Sequence, residues 1–439
     1  MDPIVLASLG LVGMFVLILL HIPIGIAMAM AGLVGFGFLG GFGPAASLLG
    51  TEPISVISNL DLAVIPLFLL MGSFAGVSGL SSDIYRLAYA LLGHRRGGLA
   101  LATIGGCAAF GAVCGSSLAT TATMGRVALP EMLKRGYEPT LATGAIAAGG
   151  TLGMLIPPSV IMVIYAYLAE QFVITLFIAA IIPGAIAVAL HFLTIGVVVR
   201  LNPAAGPAGD RLPWPERWQV ARESWGVVLL LVAVIGGIYG GVFTVTEAAS
   251  LGAGLAFLFT VARGRLNMAA FWQVLKETAS NTAMIYLIIA GASILTYFIT
   301  ATKMPDALVT AIIAMELPPL VVILTLMVVY LILGSIFDTV AAMVITMPFV
   351  FPLVTGLGYD PIWWGIVLVM VIEVGMITPP IGLNVFVLFG VAENIPLKTI
   401  FTGIVPFLIA DLVRITIIIL FPILALWLPL ALGMPMGNG

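Results

Sequence analysis

The chain predicts an all-α polytopic membrane protein built from two inverted-topology repeats, each holding a re-entrant helical hairpin and a proline-broken helix. Three observations lead there. The first is composition: of 439 residues, 62% are hydrophobic and only 8% charged, with a mean hydropathy of +1.25. Soluble domains carry about 25% charged residues. The second is an internal repeat. GYEPTLATGAIAAGGTLGMLIPP at 136–158 and GYDPIWWGIVLVMVIEVGMITPP at 358–380 align at one constant offset of 222. Gly136, Pro139, Gly153 and Met154 then fall on Gly358, Pro361, Gly375 and Met376, and Pro157 and Pro158 fall on Pro379 and Pro380. The third is charge placement. Of the 16 Lys and Arg, all but Lys303, Arg126 and Arg414 lie in segments that share one membrane side when the spans are threaded alternately. By the positive-inside rule that side is cytoplasmic.

The elements follow in order. A span takes about 20 apolar residues. Stretch 3–20 qualifies, and with no basic region before it this reads as a first span and not a cleaved leader. Spans 22–41 and 62–78 follow, separated by a less hydrophobic connector at 44–60. After the polar turns SSDIYR and GHRRGG comes 98–134, interrupted at Cys114, Gly115, Ser116 and Ser117. Its arms are too short to cross with ease, which predicts a re-entrant hairpin. A broken helix at 139–168 and a long helix at 171–199 close the first repeat (1–199). The linker, 200–222, is proline-rich and charged, with Trp214 and Trp218 suited to a membrane interface. The second repeat (223–439) runs 225–242, 244–263, an amphipathic connector at 264–280, and 281–300. A second hairpin at 318–355, a broken helix at 361–391 and a final helix at 399–430 complete it.

The hairpins enter from opposite sides. The base of the first lies beside Arg95, Arg96, Lys134 and Arg135, on the cytoplasmic side; that of the second lies near Glu316 and Asp360, with no basic residue. Both termini are then periplasmic. Cys107 and Cys114, seven residues apart on one helical stretch, stand too far apart for a disulfide.

Hairpins entering from opposite faces meet near the midplane, against the two proline breaks. Proline lacks an N–H and clashes with the carbonyl four residues back. The pairs at 157–158 and 379–380 therefore free the carbonyls of Gly153, Met154, Gly375 and Met376. In lipid such irregular backbone survives only inside protein or around an aqueous cavity, and paired breaks in matching halves mark a transporter's binding site. Hard oxygen ligands suit an alkali cation. The expected Na⁺ set is Ser116, Ser117, Gly153, Met154, Ser335, Asp338, Gly375, Met376 and Thr378. Half-helix N-termini suit an anion. The expected substrate set is Ser116, Ser117, Thr120, Pro158, Asp338, Thr339, Pro379 and Asn384. For Thr120 and Thr121, a bond back to their own helix competes with any such role. Asp338, an ionisable group at membrane depth, is the most telling single residue. Glu373 divides between support of the second break and a helix-packing pair. Asp411 and Arg414, at i and i+3, neutralise each other, and Glu247 has no evident partner.

Other classes fare worse. No GxxxxGK[ST] loop is present for a nucleotide-driven pump. The histidines, His21, His94 and His191, supply no Ser–His pair on one helix, and Asp338 as the single buried acid argues against an aspartyl dyad. The scattered basic residues and net charge of −3 exclude a nucleic-acid binder. A passive channel is disfavoured by the paired broken helices.

FGAVCGSSLATTATMG, GTLGMLIPPSVIMVIYA, GSIFDTVAAMVITMPFVFP and GMITPPIGLNVFV resemble the large membrane subunit of tripartite ATP-independent periplasmic (TRAP) transporters, and the likeness covers nearly the whole chain. It implies an elevator-type carrier of the ion-transporter superfamily in the bacterial or archaeal inner membrane, with sodium as the coupling ion and no organic cofactor. It further implies a carboxylate substrate of the C4-dicarboxylate, sialic acid or sugar-acid kind. A periplasmic substrate-binding protein would deliver it. A small four-helix membrane subunit, which some relatives carry fused, is expected here as a separate chain. Cys114 departs from the serine frequent at that position, so a ligand role there is not expected. The competing expectation is a stand-alone Na⁺ or H⁺ symporter of the same superfamily.

Overall fold

The computed structural model describes residues 2–436, and the sequence repeat is also a repeat of helices. The first copy comprises α1 (Pro3–Leu19), α2 (Ile24–Gly40), α3 (Phe42–Ser58), α4 (Val64–Ser78) and α5 (Leu80–Leu92). It continues with α6 (Gly98–Cys114), α7 (Ser117–Lys134), α8 (Pro139–Leu155), α9 (Val160–Leu168), α10 (Val173–Ala179) and α11 (Ile181–Leu201). α12 (Trp214–Glu223) lies in the linker. The second copy begins with α13 (Trp225–Leu231), a π-helical turn at Val232–Gly236 and α14 (Gly237–Tyr239), followed by α15 (Val245–Ala262), α16 (Met268–Ala301) and α17 (Met304–Ala314). It ends with α18 (Pro319–Ile336), α19 (Thr339–Gly356), α20 (Pro361–Gly375), α21 (Leu383–Val391), α22 (Leu397–Leu420) and α23 (Ile423–Ala431).

Two packing groups result. In one, α2 lies along α16 and α4 along α15, so each repeat pairs with its counterpart. The closest approach is backbone to backbone: a Cβ on Gly291 would stand 2.1 Å from the Gly25 carbonyl oxygen. Small residues allow such contact in membranes, where apolar surface alone does not drive helices together. In the other group, α8 and α20 form the centre. Every residue from Leu141 to Leu155 and from Pro361 to Gly375 is buried, under α6, α7, α18, α19 and α22.

The hairpin bases lie at opposite ends of this second group. Glu138, ahead of α8, donates its N–H to the Ala205 carbonyl in the linker, and Gly97 at the first hairpin's base donates to Gly206. At the far end of α9, the Tyr165 hydroxyl donates to the Pro361 carbonyl at the second hairpin's base. The inversion expected from charge is thus present in the packing.

Several boundaries differ from the sequence reading. SSDIYR is not a turn but part of α5, an amphipathic helix that buries Leu80, Ile84 and Tyr85 and leaves α4 at 70° through Gly79, at φ +79°. Its counterpart α17 was likewise not anticipated. From Met268 on, the connector 264–280 is continuous with the span 281–300 in one 34-residue helix, α16. In the first repeat the equivalent helix breaks at Asn59, whose Oδ1 accepts the Asp61 N–H at 2.8 Å. Asn281 matches Asn59, but Pro66, which has no N–H to give the carbonyl of residue 62, is matched by Ile288, so the second helix runs through unbroken. The linker is not wholly irregular, since it contains α12. The final helix ends at Leu420 because Pro422 pushes Phe421 out of helical geometry, to φ −127° and ψ 72°.

Candidate functional site

Both tips turn on the same device. Ser116 and Asp338 occupy equivalent positions and cap the helices that follow. Ser116 Oγ accepts the Ala119 N–H at 3.4 Å, and an Asp338 carboxylate oxygen accepts the Val340 N–H at 3.1 Å. Asp338 is therefore partly committed to the α19 N-terminus, the first turn of which favours a negative charge.

Tips and breaks meet through two methionines. Thr339 Oγ1 donates to Met376 Sδ at 2.8 Å and lies 3.4 Å from Met154 Sδ; Ser117 Oγ donates to Met376 Sδ at 3.5 Å. One residue from each tip thus converges on side chains from the breaks. The approach depends on glycine. A Cβ on Gly111 would stand 2.4 Å from Gly153 Cα, and one on Gly375 would stand 2.8 Å from Gly334 Cα. α7 runs along α21, and α19 runs along α9, so each hairpin arm packs on the broken helix of the other repeat.

The two breaks are unequal. The second closes on itself: Thr378 donates its N–H to the Gly375 carbonyl (2.9 Å), Asn384 donates to Met376 (3.1 Å), and Gly382 donates to Ser335 (3.1 Å). Gly375, Met376 and Ser335 therefore have their carbonyls occupied, contrary to the expectation of freed ligands for the first two. Thr378 Oγ1 donates back to Val374, and Ser335 Oγ to Ile332. The first break stays open. Gly153 and Met154 face Pro157 and Pro158 and receive no hydrogen bond among the described residues. The N–H groups of residues 160–162, in the first turn of α9, likewise find no acceptor among the described residues. Buried polar groups in an apolar setting rarely go unpaired. Peptide bonds 157–158 and 379–380 are both cis.

Side chains add to this open set. Ser159 Oγ, Thr121 Oγ1 and both amide atoms of Asn384 are buried with no partner among the described residues. Thr120, by contrast, bonds back to the Ser116 carbonyl at 2.8 Å and touches Cys114 Sγ at 3.0 Å. Ser159 was missed by the sequence reading, although it follows the proline pair directly; its signal was a capping residue at the start of a half-helix. A cavity of about 1030 Å³ lies elsewhere, between α9, α2, α16 and the α3–α4 turn. Glu52, Asp61, Glu170, Ser293 and Thr296 line it. Its wall reaches Val163, one residue past the open N–H groups.

Behind the second break sits a buried ion cluster. Arg414 donates to Glu373 Oε2 at 3.1 Å and stands 3.2 Å from Asp411 Oδ1, which lies 3.1 Å from His191 Nε2. All four are essentially fully buried. Among the described residues the buried acids are thus Glu373 and Asp411, while Asp338 is half-buried, and Glu373 is a packing partner of Arg414. Glu247 is explained too: with Thr244 it forms a reciprocal cap at the start of α15.

Inverted repeats, paired hairpins and an open break inside a bundle of apolar helices define a membrane transport protein. Over residues 11–424 the chain matches the family model described as "Tripartite ATP-independent periplasmic transporter, DctM component", and it belongs to that family. It is 37% identical over 378 residues to the C4-dicarboxylate TRAP transporter large permease protein DctM of Pseudomonas aeruginosa, covering 86% of this chain and 88% of that one. It is 30% identical over 375 residues to the sialic acid TRAP transporter large permease protein SiaM of Vibrio cholerae, covering 85% and 87%. Among solved structures, the Alcanivorax borkumensis YdaH transporter shares the fold, with a TM-score of 0.61 and 15% identity over 90% of each chain. The relatives are permease subunits, not enzymes.

Proposed function

We propose that this chain is the large permease subunit of a transporter that takes up a small carboxylate driven by a sodium gradient. The observation that carries the reading is the open first break. It offers carbonyl oxygens on one side of a proline pair and N–H groups on the other, facing two hairpin tips. Carbonyls and hydroxyls are sodium's ligand type, and the start of α9 is an anion's. One cation and one carboxylate bound across the same break stabilise each other, which is the coupling. The second break, closed on itself, serves as a fixed frame in this conformation.

Basic loops 93–97, 134–138 and 202–212 join in the structure on one face, which we assign to the cytoplasm, with both termini periplasmic in the inner membrane. Substrate then arrives at the opposite face, handed over by a periplasmic binding protein. A small membrane subunit completes the scaffold, and the α6–α11 and α18–α22 group moves against α1–α4 and α13–α16 in elevator fashion. The substrate is a C4-dicarboxylate, a sialic acid or a related organic acid, in keeping with the relatives' names.

Reconstitution tests this. Purified chain in liposomes, with and without the small subunit and the binding protein, is given an inward sodium gradient. Concentrative uptake is expected only with all three components. Saturable, concentrative uptake by the chain alone would leave the stand-alone symporter in its place.

A further inference from the structure

Helix α12 and its bend into α13 carry a surface that transport does not use. Trp214, Trp218 and Arg222 recur every four residues and so share one face of α12. All three are exposed, the tryptophans at 74% and 68%. The opposite side is tied down: Glu223 Oε2 pairs with Arg86 of α5 at 3.0 Å, and Glu223 Oε1 accepts from Gln219 at 2.9 Å. With both oxygens of Glu223 engaged, Arg222 has no ion-pair or hydrogen-bond partner among the described residues. At the 59° bend a cavity of about 670 Å³ is lined by Gln219, Arg222, Glu223 and Trp225. Trp225 stays 58% exposed although its ring stacks edge-on against Phe259 of α15, with centroids 5.3 Å apart.

A further basic group adjoins. Arg217 lies on α12 itself, its Nε donating to the Leu212 carbonyl at 3.0 Å. Tryptophan at the membrane–water boundary keeps its ring at headgroup level, and basic residues beside it attract anionic lipid. A soluble partner would need no such aromatic row where a span emerges from the bilayer.

We propose that α12 and the first turn of α13 form a binding site for one anionic phospholipid. Arg222 holds the headgroup phosphate, and Trp214, Trp218 and Trp225 flank its glycerol region. The site anchors the junction between the two repeats to the bilayer surface, and the assignment is independent of sodium coupling.

The test is native mass spectrometry of the full-length chain in detergent, titrated with short-chain phosphatidylglycerol, short-chain phosphatidylcholine or glycerol phosphate. Phosphatidylglycerol is expected to bind in preference to the other two. Arg222→Gln is expected to weaken that binding about fivefold, the effect of one basic residue at an anionic surface. Trp218→Ala should also weaken it. Lys398→Gln, which removes the same charge from an exposed position on another element, should leave it unchanged. Equal losses in Arg222→Gln and Lys398→Gln would reduce the effect to net charge and overturn the site. Equal binding of phosphatidylcholine, or of glycerol phosphate, would overturn the lipid assignment.

Discussion

Replacing Arg414 with methionine tests the buried cluster behind the second break. The guanidinium is fully buried and reaches Glu373 at 3.1 Å and Asp411 at 3.2 Å. Its removal strands Glu373 with no cation and leaves Asp411 only His191. Removing one partner of a buried pair costs about 3–5 kcal/mol, because the remaining charge stays unpaired. Arg414→Met should therefore destabilise the protein by about that much. Adding Glu373→Gln removes the stranded charge, so the double variant should be more stable than Arg414→Met alone. The coupling should be about 0.5–3 kcal/mol, the range for residues in direct contact. Reversible unfolding in mixed detergent of the parent, Arg414→Met, Glu373→Gln and the double variant, followed by intrinsic tryptophan fluorescence, supplies the four free energies of the cycle. A single variant within about 1 kcal/mol of the parent, with strictly additive effects in the double, would refute the reasoning.

Three further outcomes are expected. Gly153→Ala puts a Cβ 3.0 Å from Thr120 Oγ1 and 3.1 Å from Gly111 Cα, so it should cost about 1–3 kcal/mol by overpacking and abolish uptake, as assayed in proteoliposomes. Asp338→Asn keeps a good helix cap, so it should fold normally and still run on sodium, with a weaker sodium dependence of uptake; transport driven by a pH gradient in the parent and lost in this variant would point to protons. In a background lacking Cys107 and Cys114, a cysteine at Ala204 should resist an impermeant maleimide in intact cells and one at Asp2 should react, and the reverse would overturn the assigned orientation.

Much of the architecture was legible because membrane helices write strong signals. The proline pairs, the glycine before each and the basic loops placed both broken helices and both hairpins. What the sequence concealed has physical causes. α5 is short and amphipathic, so its polar face looks like a turn, and α17, although apolar, has only 11 residues, too few to stand out as a span. The fusion of α16 rests on Ile288, which can donate in the helical ladder where Pro66 in the first copy cannot. The difference between the breaks was invisible too. Both carry Gly-Met before a proline pair, yet closure of the second depends on the Asn384 and Thr378 N–H groups folding back onto it. The Arg414 cluster joins residues 191, 373, 411 and 414, and only its i, i+3 pair was visible along the chain.

Sodium binding at rest tests the central claim most directly. The purified chain is melted in sodium, potassium or choline chloride at one ionic strength, without substrate or gradient. A ligand that binds only the folded state stabilises it by about 2.7 kcal/mol at a hundred times its Kd. The account predicts a saturable rise in melting temperature with sodium alone, weakened by Ser117→Ala and abolished by Gly153→Ala. Identical melting in all three salts would contradict it.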